Sequence, residues 1–295
     1  MSTSTIKKIA FIGLGAMGLP MAKRLAQAGF DVRSATRKTQ KSELAGQELE
    51  AAGGTILPSF VEAIRGVDLI ISILPDDAAL ENVYLDPGFF AAAPDGVLIL
   101  DMTSCTAAAL KKVAERWKEK NAIVVDAPVS GGVGGAASGG LTIFAAGDNA
   151  ALKILTPVFD VLGKNIFRLQ SIGDGKSIKA VNQMLGAINT VALAEAFALI
   201  KKLGLDPQTV YEIIRVSSGT SYMFDNKFMK IANSDYSGGF KFKLMKKDLG
   251  IAMNEAQGLD LPLASLAASI YDKYRGSDDK DFSVLATLYS DSKEK

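Results

Sequence analysis

Short apolar runs alternate with longer mixed stretches through the first 170 residues. Residues 8–12, 32–35, 69–73, 97–101, 123–126 and 141–145 have the length and composition of strands. Turn signals such as Asp86-Pro87-Gly88 and Pro94-Asp95-Gly96 separate them. The pattern predicts a mostly parallel sheet with helices on both faces, then a helix over 148–162 and an edge strand at 166–168. After Ser171 the period becomes helical. Residues 176–202 are rich in Ala, Leu, Ile and Met, and 207–217, 224–232, 244–257 and 263–274 continue as helices. The 176–202 stretch is long enough to span a membrane. Asn182, Gln183, Asn189, Glu195 and Lys201 interrupt it, however, which points to a buried central helix. The expected organisation is an α/β domain over 1–170 and an all-helical domain over 171–295, joined through the long helix rather than a flexible linker.

The first run leads into Gly13-Leu14-Gly15-Ala16-Met17-Gly18, and helix-compatible residues follow up to Gly29. Strand, glycine turn and helix in that order point to a dinucleotide-binding turn, although a tight turn in another α/β protein would share the glycines. Gly13 permits the turn, Gly15 lets a pyrophosphate approach, and Gly18 lets the helix pack on the strand. An acidic residue closing the second strand would hold a ribose hydroxyl. Asp31 lies at the opposite end of that strand, which closes on Thr36-Arg37-Lys38. A hydroxyl and two cations suit a 2′-phosphate, so NADP is expected, with NAD the alternative.

Charge and composition narrow the chemistry. Apolar residues make up 48% and charged residues 22%, and 33 basic against 32 acidic residues leave +1, so no nucleic-acid or membrane partner is expected. Cys105 is the only cysteine and there is no histidine, which leaves no disulfide framework, no thiolate metal site and no Ser-His-Asp triad. No metal site is expected. Residues 1–8 lack the apolar stretch of a secretory signal, so a cytoplasmic enzyme is expected. Any proton it moves must be carried by lysine, tyrosine or a carboxylate.

Two segments offer such chemistry. Ser130-Gly131-Gly132, after the fifth predicted strand, could present a hydroxyl and backbone N–H groups to a carboxylate, or be a glycine-rich crossover. Lys179 lies just after Gly173-Asp174-Gly175, with Asn182 and Gln183 three and four positions on, hence near one helix face. A surface lysine near the helix start is the plainer alternative, and Lys176 is the rival for any catalytic role.

With these motifs in order, and with Lys247-Asp248-Leu249 further on, the chain resembles the β-hydroxyacid dehydrogenases over nearly its whole length. The resemblance implies an N-terminal Rossmann domain and an all-helical second domain; separately, a long apolar helical domain needs more cover than one chain provides, so a homodimer or homotetramer is expected. The resemblance also implies hydride transfer between NADP(H) or NAD(H) and a small 3-hydroxy acid or its semialdehyde. Candidate substrates are of the 3-hydroxyisobutyrate or tartronate semialdehyde type, with L-threonate and glyoxylate or succinic semialdehyde as alternatives. A non-enzymatic NADP-binding sensor is the contrasting possibility. By the same resemblance Lys179 is catalytic, and Ser130, Gly131 and Gly132 hold the substrate carboxylate. Asn182 and Gln183 supply amides; the family often has Asn where Gln183 stands. Leu74, Pro75, Thr103 and Ser104 line the nicotinamide side, and Lys247 reaches the cofactor. Residues 217–224, with Tyr222 and Phe224, and residues 236–240 are expected near the substrate or in the core.

Overall fold

The structure is a computed structural model, and it describes residues 6–37 and 39–290. Nine strands form one sheet among these residues: β1 Lys8–Ile12, β2 Asp31–Ala35, β3 Thr55–Leu57, β4 Leu69–Ser72, β5 Leu98–Asp101, β6 Ile123–Asp126, β7 Val129–Ser130, β8 Leu141–Ala146 and β9 Gly163–Leu169. Their order is β3-β2-β1-β4-β5-β6-β8-β7, with β9 beside β8. Strands β1 to β6 pair in parallel, β8 runs antiparallel to β6 and β7, and β9 is parallel to β8. The order β3-β2-β1-β4-β5-β6 is the Rossmann arrangement. Connections leave in opposite directions on either side of β1, which opens a crevice at the carboxyl ends of β1 and β4.

Alternation along the strands builds two cores. Ile9, Phe11, Leu69, Ile71 and Leu100 face one cluster, while Ala10, Ile12, Ile70 and Ile99 face the other. Every residue of β4 and β5 is buried, as a parallel sheet covered on both faces requires. Tyr84, Phe89, Phe90 and Trp117 pack edge to face in the second core, and the Trp117 indole N–H donates to the Tyr84 carbonyl at 2.9 Å.

Four details differ from the sequence pattern. β3 and β7 are too short, at three and two residues, to give a periodic signal. Asp86-Pro87-Gly88 is a helix start rather than a free turn, because the Asp86 carboxylate accepts from the Phe89 N–H at 2.7 Å and caps helix Pro87–Ala92. The expected helix over 148–162 is two helices, Asn149–Ile154 and Thr156–Leu162. Pro157, with no N–H to donate, fits the first turn of the second. The glycine-rich stretch after Gly131 is not a loop but helix Gly132–Ser138, which ends on Gly139 in the left-handed region at φ 72°.

Two compact units meet in sequence at Lys179 and Ala180, within helix Asp174–Lys202. In the second unit, Ala187 and Val191 of that helix pack with Phe242, Met245, Leu249, Tyr271 and Phe282. Leu193, Ala194 and Ile200 pack with Val210, Phe224, Phe228 and Ile231. By length and composition alone this helix could cross a membrane, but these residues are committed to protein cores. Asp281, wholly buried, accepts from Lys227 Nζ, the Phe240 N–H and the Ser283 N–H and hydroxyl, and so fixes the turn before helix Phe242–Glu255.

Gly18 has no room for a side chain: a Cβ there would lie 1.9 Å from the Gly13 carbonyl oxygen and 2.8 Å from Ile73 Cγ2. Gly18→Ala is expected to cost at least about 1–3 kcal/mol of stability by overpacking, read as a lowered Tm in thermal denaturation.

Candidate functional site

The glycine turn fits a dinucleotide on its own geometry. Gly13 adopts φ 105°, and a Cβ there would sit 2.3 Å from the Ile73 carbonyl oxygen. Gly15 is exposed and faces open space, with nothing within 4 Å of a built Cβ. Helix Gly18–Gln27 follows, and no side chain caps its N-terminus; the Leu19 N–H donates to the Gly15 carbonyl oxygen at 3.0 Å and Pro20 has no N–H to offer. Leu14, Ala16 and Met17 fill the turn between β1 and that helix.

At the end of β2, Thr36 is half-buried and Arg37 exposed, while Lys38 lies outside the described residues. Asp31 opens β2 and is held by Arg33 at 2.7 Å, so it cannot serve the strand's carboxyl end. That end carries no acid between Ala35 and Arg37.

The carboxyl ends of β4, β5 and β6 carry a buried polar row. Ser72 pairs in register with Asp101, and Asp101 with Asp126. All three are wholly buried. Asp101 Oδ1 accepts from the hydroxyls of Ser72 and Thr103, both at 2.7 Å, and Tyr84 donates to Ser72 Oγ at 2.8 Å. Thr103 Oγ1 accepts from the Leu74 N–H at 3.0 Å, which ties the 72–75 turn to the 101–104 turn. Pro75 is exposed and Ser104 half-buried at the rims of these turns.

Lys176 is the more deeply buried of the two lysines. Its ammonium is buried against Asp101 Oδ2 at 2.7 Å, Asp126 Oδ1 at 3.1 Å and the carbonyl oxygens of Asp101 and Thr103 at 3.0 and 2.8 Å. Burial by itself would favour the neutral amine, but the carboxylates outweigh it and hold the group protonated, above the ordinary lysine range. Burial pushes the Asp126 carboxyl up, and Lys176 opposes that rise. Asp126 Oδ2 also accepts from the Gly173 and Lys176 N–H groups at 3.1 and 3.0 Å, capping the long helix. Lys176 is thus engaged on every side, whereas Lys179, one turn later, is 8% exposed and belongs to the buried polar set.

Ser130 lies in β7 opposite Thr142, half-buried, and is followed by exposed Gly131 and Gly132 at φ 131° and 63°. Side chains rarely adopt either value, so the turn depends on glycine and presents bare backbone.

In the second unit Gln183 is 7% exposed and held at both ends of its amide. Its Nε2 donates to Asp248 Oδ2 at 2.7 Å, and its Oε1 accepts from Asn182 Nδ2 at 2.9 Å. Asp248 Oδ1 in turn pairs with Lys247 Nζ at 2.9 Å. Tyr222 is 68% exposed at the start of helix Tyr222–Ala232, while Phe224 is a core residue stacked on Phe228.

Two family models match the chain in succession. Residues 8–173 match the NAD binding domain of 6-phosphogluconate dehydrogenase, and residues 173–289 match the NAD-binding domain of NADP-dependent 3-hydroxyisobutyrate dehydrogenase. The NAD-dependent L-serine dehydrogenase of Pseudomonas aeruginosa is 38% identical, over 96% of this chain and 98% of its own. The 2-(hydroxymethyl)glutarate dehydrogenase of Eubacterium barkeri is 36% identical, over 96% and 94%. The solved 3-hydroxyisobutyrate dehydrogenase of Mycobacterium tuberculosis with L-serine superposes with a TM-score of 0.87 at 33% identity, over 96% and 99%. The chain belongs to the β-hydroxyacid dehydrogenase family.

Family membership makes it an oxidoreductase that works with a nicotinamide dinucleotide, as the glycine turn indicates. Three residues outside the expected set are prominent in the structure: Asp101, Asp126 and Asp248. The first two had a visible signal, since each closes an apolar run at a strand's carboxyl end. Asp248 pairs across 65 residues with Gln183, which no local spacing reveals.

Cys105 sits 3.8 Å from Asp101 Oδ2, and burial pushes its thiol pKa up, with Lys176 opposing and Asp101 assisting. A chromogenic thiol reagent at neutral pH is expected to find no reactive thiol in the folded protein and one per chain after guanidinium is added.

Proposed function

We propose that the enzyme interconverts a small acid of the form HOCH2–CH(R)–COO⁻ and its semialdehyde, with NADP(H) preferred over NAD(H). L-Serine, 2-(hydroxymethyl)glutarate and 3-hydroxyisobutyrate, named for the relatives, share that skeleton and differ only in R. The observation that carries the reading is a lysine held out of bulk water at position 179, three residues after one fully consumed by ion pairs.

In this reading Lys179 takes the hydroxyl proton during oxidation and returns it to the forming alkoxide during reduction. The oxidation direction needs its neutral form, and the reduction direction its charged one. Gln183 and Asn182 orient the reacting oxygen. Ser130 and the N–H groups of Gly131 and Gly132 hold the carboxylate, which fixes the carbon presented for reaction. Gly13 to Gly18 receive the pyrophosphate, Thr36 and Arg37 the 2′-phosphate, and Leu74, Pro75, Thr103 and Ser104 flank the nicotinamide, with Lys247 reaching the cofactor. The bound nicotinamide accepts or supplies the hydride. The reading includes a homodimer or homotetramer, because Val181, Leu185 and Leu199, each more than half exposed, leave an apolar surface for a second copy to cover.

Lys179→Ala is expected to lower kcat about 10²–10⁴-fold in a coupled absorbance assay while the dissociation constant for NADPH stays near that of the unmodified enzyme. A panel of 3-hydroxy acids run in both directions tests the skeleton, and activity confined to acids without a CH2OH group would refute it. Arg37→Ala is expected to weaken NADPH binding selectively, by about 10-fold for a loss near 1.4 kcal/mol, and to leave NADH binding unchanged. An equal effect on both would remove the argument for NADP.

A further inference from the structure

We propose that Lys176 is a positioning residue for hydride transfer, setting the place of the Lys179 helix turn against the 72–75 and 101–104 turns. The inference rests on Lys179 being the proton carrier and on those two turns flanking the nicotinamide.

One ammonium gathers three segments. From the helix, the Lys176 side chain reaches Asp101 Oδ2 at 2.7 Å and the carbonyl oxygens of Asp101 and Thr103 at 3.0 and 2.8 Å. Asp101 holds the Thr103 hydroxyl at 2.7 Å, and that hydroxyl holds the Leu74 N–H at 3.0 Å. Asp126 pairs with the same ammonium at 3.1 Å and caps the helix through two backbone N–H groups. Gly175 tightens the junction, since a Cβ there would lie 2.4 Å from the Phe144 carbonyl oxygen and 3.0 Å from Asp126 Oδ2. Lys179 follows Lys176 by three residues, so fixing the first turn fixes the second.

Stability alone does not account for this arrangement. Charges removed from water lose hydration, and replacing a whole buried set of ion-pair partners together by apolar side chains of similar volume often serves a core as well or better. An ammonium does what an apolar side chain cannot: it selects one geometry, because its three N–H donors meet Asp101 Oδ2 and two carbonyl oxygens at once, with Asp126 Oδ1 an ion-pair contact at 3.1 Å. The two main-chain carbonyls it binds belong to the turn expected beside the nicotinamide, so displacement of the cation would move that turn relative to the helix.

The test uses full-length Lys176→Met and Lys176→Gln, with Lys179→Ala in parallel. For each, kcat, the KM for substrate, the NADPH dissociation constant and the primary deuterium isotope effect with hydride-labelled cofactor are measured, with the active fraction counted by cofactor titration. Lys176→Met is expected to lose about 10–100-fold in kcat, in the lower range found for misplaced catalytic groups, with NADPH affinity within about twofold. Its isotope effect should rise as hydride transfer becomes slower than release, and Lys176→Gln, which keeps donors for the carbonyls, should recover part of kcat. A merely structural cation would lower Tm and active fraction but leave kcat per active site and the isotope effect unchanged, and that result overturns the proposal. Failure of both variants to fold overturns it equally. If Lys179→Ala retains full turnover, the proton-carrier reading falls and takes this inference with it. If Lys179→Ala collapses while Lys176→Met does not, only the positioning role falls.

Discussion

A single ammonium shared by two carboxylates, in a place with no water to screen them, is the constraint on which the first unit's functional end depends. Remove Lys176 and two buried acids at the ends of β5 and β6 face each other without a cation. Breaking a buried pair from one side typically costs about 3–5 kcal/mol, a large fraction of a domain's whole stability. The start of the long helix, the turn after β5 and the turn after β4 are therefore set together. The sheet places the acids by register, and the helix supplies the cation.

The sheet can carry that charged knot because its central strands β4 and β5 are covered on both faces. β4 and β5 bury every residue, and two separate apolar clusters cover the faces. In these two strands polar groups enter only at the carboxyl ends, where Ser72 and Asp101 join Thr103 and Tyr84 in one hydrogen-bonded set. A parallel sheet ends with its backbone carbonyls aimed one way and its loops free to vary. In the Rossmann arrangement that rim is where a ligand meets the chain.

Much of this was legible in the residues. The strand runs from β1 through β6, apart from β3, follow apolar composition, and the Gly13–Gly18 turn announced itself by its place between strand and helix. The long helix was visible because its period persists for 29 residues. What escaped notice depended on partners distant in sequence or on elements too small for a period. β7 is two residues long and exists because β8 folds back beside it. The amides at 182 and 183 single out Lys179 in the sequence, but the pairing of Lys176 with acids of two other strands has no local signal. Residues 132–138 read as a loop from their three glycines, yet they form a helix between β7 and β8. The Asn182–Gln183–Asp248 chain was half visible: the amides stood out by spacing, but not the acid that restrains them.

That restraint has a thermodynamic consequence. A free glutamine side chain samples many rotamers, and ordering one upon ligand capture costs about 0.5–1.5 kcal/mol. Gln183 has its oxygen committed to Asn182 and its nitrogen to Asp248 at 2.9 and 2.7 Å. Its dipole is therefore aimed before any ligand arrives, and the entropy loss falls on folding rather than on association. Truncating Asp248 would return that disorder to the unliganded state, so with Gln183 in its proposed role calorimetry should register a less favourable entropy of binding even where the contacts to the ligand are unchanged.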